Sequence, residues 1–131
     1  MKRVLIVDDD TDILGLLRLE FEDEAGCRAD TTDDVRAALD LARSHAYNLI
    51  ITDWRMPGMN GTEFVAALRR QGCTSPIVIY SGKECDDEIQ TALDAGADRY
   101  IGRRGNPDRE FPELKELLWD KAGRTYPQQT R

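Results

Sequence analysis

Three short runs constrain this chain more than anything else in it: VLIV at residues 4–7, LIIT at 49–52 and IVIY at 77–80. A strand with one wet face alternates apolar and polar residues, because successive side chains point to opposite sides. These runs do not alternate. Strands that are apolar on both faces belong to a parallel sheet covered by helices on both sides. The intervening segments supply those helices. Apolar residues recur at helical spacing at Leu14, Leu17, Phe21 and Ala25, at Val35, Ala38, Leu39 and Ala42, at Phe64, Val65 and Leu68, and at Ile89, Ala92 and Leu93. Crossovers between parallel strands are right-handed, which places helices on both faces. The chain is therefore an α/β protein of (βα)5 order, a doubly wound parallel sheet of five strands.

The pattern predicts strands at 4–7, 27–31, 48–52, 77–80 and 100–101, the second weak and the fifth short. It predicts helices at 11–25, 33–46, 62–71, 86–95 and 111–121. Gly26 and Gly96 stop the helices that precede them. Met56-Pro57-Gly58-Met59-Asn60-Gly61 is loop chemistry. Residues 1–122 form one domain and 123–131 a polar tail. A chain of 131 residues has the size of a single domain. Its net charge of −7 opposes binding to nucleic acid or to an anionic membrane. Lys2 and Arg3 precede only four apolar residues, so no secretory leader is expected, and no run reaches transmembrane length. Cys27, Cys73 and Cys85 make neither a disulfide framework nor a zinc signature. A cytoplasmic protein is expected.

The first apolar run ends in Asp8, Asp9 and Asp10. Two carboxylates ~4 Å apart repel by about 1 kcal/mol in water and by several times more near a low-dielectric core. A solvated turn, with Asp10 or Asp12 capping the next helix, is the plainest account of any one of them. In an open α/β sheet, however, ligands bind beyond the carboxyl ends of the strands. Those ends bring together Asp8 and Asp9, Asp53, Ser81 and Arg103. Three carboxylates, a hydroxyl and a guanidinium at one rim make a cation site. Oxygen ligands without His or Cys suit Mg2+ or Mn2+. Asp53, rigidly held after a long apolar strand, is either a metal ligand alone or a nucleophile toward phosphorus, forming an aspartyl-phosphate.

VLIVDDD, LIITDWRMPGMNG, IVIYSG and GADRYIGR, in this order and spacing, resemble the receiver domain of two-component response regulators. The likeness covers residues 3 to about 122. It implies the flavodoxin-like strand order 2-1-3-4-5 and signalling by phosphorelay. By that resemblance Asp53 is the phospho-acceptor. Asp9, Asp53 and the backbone carbonyl of Arg55 hold Mg2+ directly, and Asp8 acts through water. Ser81 is the switch hydroxyl, and Tyr100 the aromatic that changes rotamer with it. The implied partners are a histidine kinase or phosphotransfer protein and a downstream protein target bound through the fourth helix, fifth strand and fifth helix. Enzymatic activity is limited to self-phosphorylation and self-dephosphorylation at Asp53.

The family places Lys-Pro, joined by a cis peptide, at the end of the fifth strand. Here the pair is Arg103-Arg104. A guanidinium is longer, planar and forked where an ammonium is a point charge. It can grip a phosphoryl group in bidentate fashion, or stand too bulky, or face solvent. A non-prolyl cis peptide costs about 2.5–4 kcal/mol, so a trans bond and a rerouted loop are expected. The alternative reading is a degenerate receiver that binds a protein partner constitutively. Asp8-x-Asp10 after a strand also resembles haloacid-dehalogenase phosphatases, but Asp12 stands where that family needs Thr. No glycine-rich phosphate loop is present.

Overall fold

The computed structural model describes residues 1–24, 26–82 and 85–118. The order is β1 (Lys2–Val7), α1 (Thr11–Glu22), β2 (Cys27–Thr32), α2 (Val35–Ser44), β3 (Leu49–Thr52), α3 (Gly61–Arg70), β4 (Ile77–Ser81), α4 (Asp86–Ala95), β5 (Arg99–Gly102) and α5 (Pro107–Leu118). All paired strands are parallel, in the order β2-β1-β3-β4-β5. This is the flavodoxin-like arrangement.

Strand periodicity divides the core in two. Val4 and Ile6, Leu49 and Ile51, and Val78 and Tyr80 face one side. There they pack with Leu14, Leu17 and Phe21 of α1 and with Phe111, Leu114, Leu117 and Leu118 of α5. Leu5 and Val7, Ile50, and Ile77 and Ile79 face the other side, against Val35 and Ala38 of α2, Phe64, Val65 and Leu68 of α3, and Ala92 of α4. Burying each such side chain contributes about 1.5–3 kcal/mol, so both faces are needed to offset chain entropy. The unbroken apolar runs are the central strands β1, β3 and β4, each covered on both sides.

This division also makes the crevice. The helix after β1 lies on one face and the helix after β3 on the other. Neighbouring strands whose connections leave in opposite directions open a gap at their carboxyl ends. The residues immediately past Val7 and Thr52 line it.

Several boundaries differ from the sequence pattern. Helix α5 starts at Pro107 rather than at residue 111. Its first turn, Pro107-Asp108-Arg109-Glu110, has no apolar periodicity beyond Phe111, yet proline is suited to the first helical position, where its missing N–H would have no partner. Helix α2 ends at Ser44 rather than 46, because His45 is extended (φ −135°, ψ 149°), and it starts at Val35 behind an Asp34 cap. Helix α1 ends at Glu22, capped by Asp23. Asp10, not Asp12, caps its start by accepting from the Asp12 N–H. Helix α3 starts at Gly61 under a reciprocal capping box of Asn60 and Glu63. Ala25, the expected helical residues 119–121 and the expected tail 123–131 lie outside the described residues.

Candidate functional site

Each site residue is carried by the end of a strand. Asp8 and Asp9 follow β1, and Asp53 follows β3. One carboxylate oxygen from each of the three lies within 4.8 Å of the others. Asp8 is only 2% exposed, whereas Asp9 is exposed and Asp53 half-buried. The Asp53 N–H donates to the Val7 carbonyl at 3.0 Å, extending the β1–β3 ladder into the site. Its Oδ1 accepts from the Trp54 N–H at 2.7 Å. Thr52 Oγ1 donates to the Asp53 carbonyl at 2.9 Å from beneath. Gly61 lets α3 begin against this turn. A Cβ there would stand 2.8 Å from Trp54 Cα and 3.0 Å from the Asp53 carbonyl oxygen. Arg55 lies exposed in the same loop.

Burial pushes the Asp8 carboxyl up to about 6. The Asp10 N–H opposes this by donating to Asp8 Oδ1 at 2.9 Å. The Asp53 charge adds to the rise, and Arg103 works against it. Among the described residues, the three carboxylates of this pocket face one paired cation, Arg103 on Asp8. Three oxygen donors so placed, with no nitrogen or sulfur donor among them, fit a hard divalent cation.

The remaining expected residues converge on the same rim. Ser81, 2% exposed, ends β4. Its carbonyl accepts the Tyr100 hydroxyl at 2.9 Å and the Arg103 N–H at 2.9 Å. Arg103 turns inward. Its Nη2 donates to Asp8 Oδ2 at 2.5 Å and to the Tyr80 carbonyl at 2.9 Å. Its guanidinium carbon sits 4.8 Å from the centroid of the Tyr80 ring. Burial disfavours the Arg103 charge, but Asp8, Asp53 and Tyr80 outweigh that and raise its pKa. The Arg103–Arg104 bond is trans, since the described residues contain no cis peptide. The loop beyond it turns at Gly105, which has φ +76°.

Two further residues support this rim. The Tyr80 hydroxyl donates to Glu110 Oε1 at 2.6 Å, and the Arg104 N–H donates to Glu110 Oε2 at 2.8 Å. Burial disfavours the Glu110 charge, yet the Tyr80 hydroxyl and the N–H groups of Arg104 and Asn106 hold its carboxyl below the ordinary value. Burial and the same bond push the Tyr80 hydroxyl up. Sequence spacing does not reveal Glu110: it lies in a polar first turn, and its partner Tyr80 reads as an ordinary strand residue.

An acid pair and a third carboxylate, at the switch point of a 2-1-3-4-5 parallel sheet, define a CheY-like receiver. Residues 4–111 match the response regulator receiver domain, and the chain belongs to that family. It is 40% identical over 118 residues to the response regulator ArlR of Staphylococcus aureus, which covers 90% of this chain and 53% of that protein. The chain thus spans about half the length of the curated relatives it matches. Among solved structures, a receiver domain from Methanospirillum hungatei superimposes with a TM-score of 0.81 at 30% identity, over 90% of this chain and 94% of that one. The response regulator TrrA of Thermotoga maritima, solved in complex with Mg(2+)-BeF, gives a TM-score of 0.76 at 32% identity, over 89% and 99% respectively. No helix among the described residues is long and apolar enough to cross a membrane.

Proposed function

We propose that this receiver accepts a phosphoryl group on Asp53 in a Mg2+-dependent reaction. The reading rests on the juxtaposition of Asp8, Asp9 and Asp53, their carboxylate oxygens within 4.8 Å, with Arg103 turned onto Asp8. An Asp53 oxygen attacks the phosphorus of a phosphohistidine. The new O–P bond forms as the P–N bond breaks, and the imidazole leaves with the electron pair. Asp9, Asp53 and the Arg55 carbonyl would hold Mg2+, with Asp8 acting through water. Bound there, the ion neutralises charge on the phosphoryl oxygens. Arg103 adds a fixed positive charge beside Asp8. Ser81 and Tyr100, joined by the bond from the Tyr100 hydroxyl to the Ser81 carbonyl, are the groups through which the phosphoryl state reaches β5.

The phosphoryl donor is a histidine kinase or phosphotransfer protein. The output is a protein target that binds through α4, β5 and α5, without direct contact to nucleic acid. Residues 1–122 constitute the receiver. A cytoplasmic setting agrees with the free cysteines Cys27, Cys73 and Cys85. The inward course of Arg103 supports a working phospho-acceptor over a constitutive binding module. Incubation with acetyl phosphate and Mg2+, followed by intact-mass measurement, should add one phosphoryl group to the wild type. Asp53→Asn should gain none, and phosphorylation persisting in that variant would refute the assignment.

A further inference from the structure

We propose that Glu110 is the positioning residue for Arg103. The proposal rests on the reading of the acid pocket as a phosphoryl site, where Arg103 supplies the cation. Arg103 has few direct restraints. Its Nη2 reaches Asp8 and the Tyr80 carbonyl, but among the described residues its buried Nε has no hydrogen-bond partner. A buried donor left unmatched costs about 1–3 kcal/mol, so the side chain is held inward by something besides its own hydrogen bonds. The Tyr80 ring, 4.8 Å from the guanidinium carbon, is the surface it rests on.

Glu110 fixes both ends of this arrangement. It is 5% exposed. One carboxylate oxygen takes the Tyr80 hydroxyl at 2.6 Å and so holds the ring under the guanidinium. The other takes the Arg104 N–H at 2.8 Å and so holds the backbone just past Arg103. A proline at residue 104 has no N–H to offer. The same Arg103-Arg104 pair that departs from Lys-Pro therefore brings both the longer cation and the backbone donor that Glu110 anchors. Glu110 does not reach the acid pocket itself. It acts through Tyr80 and Arg104.

The test has two arms. In the first, the Arg103 side-chain Nε–H is followed by 1H–15N NMR in the metal-free protein. The wild type should show a slowly exchanging Nε–H, as expected of a buried donor. Glu110→Ala should abolish its protection. Glu110→Gln should restore it, because an amide can accept from Arg104 while donating to the Tyr80 hydroxyl. In the second arm, phosphorylation by acetyl phosphate at saturating Mg2+ is compared in Glu110→Ala, Arg103→Ala and the double variant. Glu110→Ala should slow the rate by roughly tenfold, the low end for supporting-shell groups. The double variant should be no slower than Arg103→Ala alone.

An unchanged Nε–H in Glu110→Ala would overturn the proposal. So would independent, multiplying effects on rate. If Glu110→Ala does not fold, Tyr80→Phe breaks the same link while keeping the ring, and its Nε–H should likewise lose protection. Should Asp53 take no phosphate in any variant, the phosphoryl reading fails, while the NMR arm still decides whether Glu110 positions Arg103.

Discussion

Replacing Arg103 with methionine keeps much of the apolar stem and deletes the charge. Removing one member of a buried ion pair ordinarily costs about 3–5 kcal/mol, because the other charge is stranded. Here the loss at neutral pH should be smaller and should depend on pH. Asp8 already titrates near 6, so a stranded Asp8 escapes by taking a proton. Two unit charges 4 Å apart at an effective dielectric constant of 20 interact by about 4 kcal/mol, equivalent to roughly 3 pKa units. Without Arg103, Asp8 would therefore be protonated at pH 7. What is lost is the free energy of ionising the wild-type carboxyl. Each pH unit above the pKa is worth about 1.4 kcal/mol, so this is about 1 kcal/mol at pH 7 and about 3 kcal/mol at pH 8. It is close to zero at pH 5. These increments add to a pH-independent loss of the Tyr80 contacts. Urea denaturation of both proteins at pH 5, 7 and 8, without divalent metal, measures the difference. A stability gap that stays constant across these pH values would refute the coupling of Arg103 to Asp8.

Other outcomes follow from the same geometry. The metal-free wild type should lose stability as pH rises through 6, by a total of about 3 kcal/mol, because the folded Asp8 pKa of about 6 exceeds its ordinary value of 3.8; urea titrations against pH with Asp8→Asn as reference would show it. The apparent Mg2+ affinity should fall about tenfold from pH 7 to pH 5, since the proton on Asp8 competes with the ion; Trp54, bonded to Asp53 through its N–H, gives a fluorescence readout. Asp9→Ala should abolish Mg2+ binding in that titration, and an unchanged curve would place the ion elsewhere. Gly61→Ala should destabilise the fold by about 1–3 kcal/mol, because its Cβ would meet the Trp54 and Asp53 backbone, and that backbone must then move.

How far the sequence discloses this molecule depends on where each element draws its stability. The strands β1, β3 and β4 are written as unbroken apolar runs because both faces of each are buried, and that pattern alone places Asp8, Asp9 and Asp53 at one edge. The start of α5 is not legible in that way. Its first turn makes its contacts through Glu110, a polar residue with no periodic signature. The direction of Arg103 is likewise absent from the local pattern. Charge and length permit a solvent-facing course as readily as an inward one. The choice is made by Asp8, Tyr80 and Glu110, which are separated from it by 95, 23 and 7 residues and meet it only in the folded sheet.

The most direct test of phosphoryl acceptance at Asp53 is chemical trapping. After reaction with acetyl phosphate and Mg2+, borohydride reduces an aspartyl-phosphate to homoserine, and peptide mapping locates the converted residue. Conversion at Asp53 alone is the expected result. Conversion at Asp8 or Asp9, or at none of the three, would contradict the account.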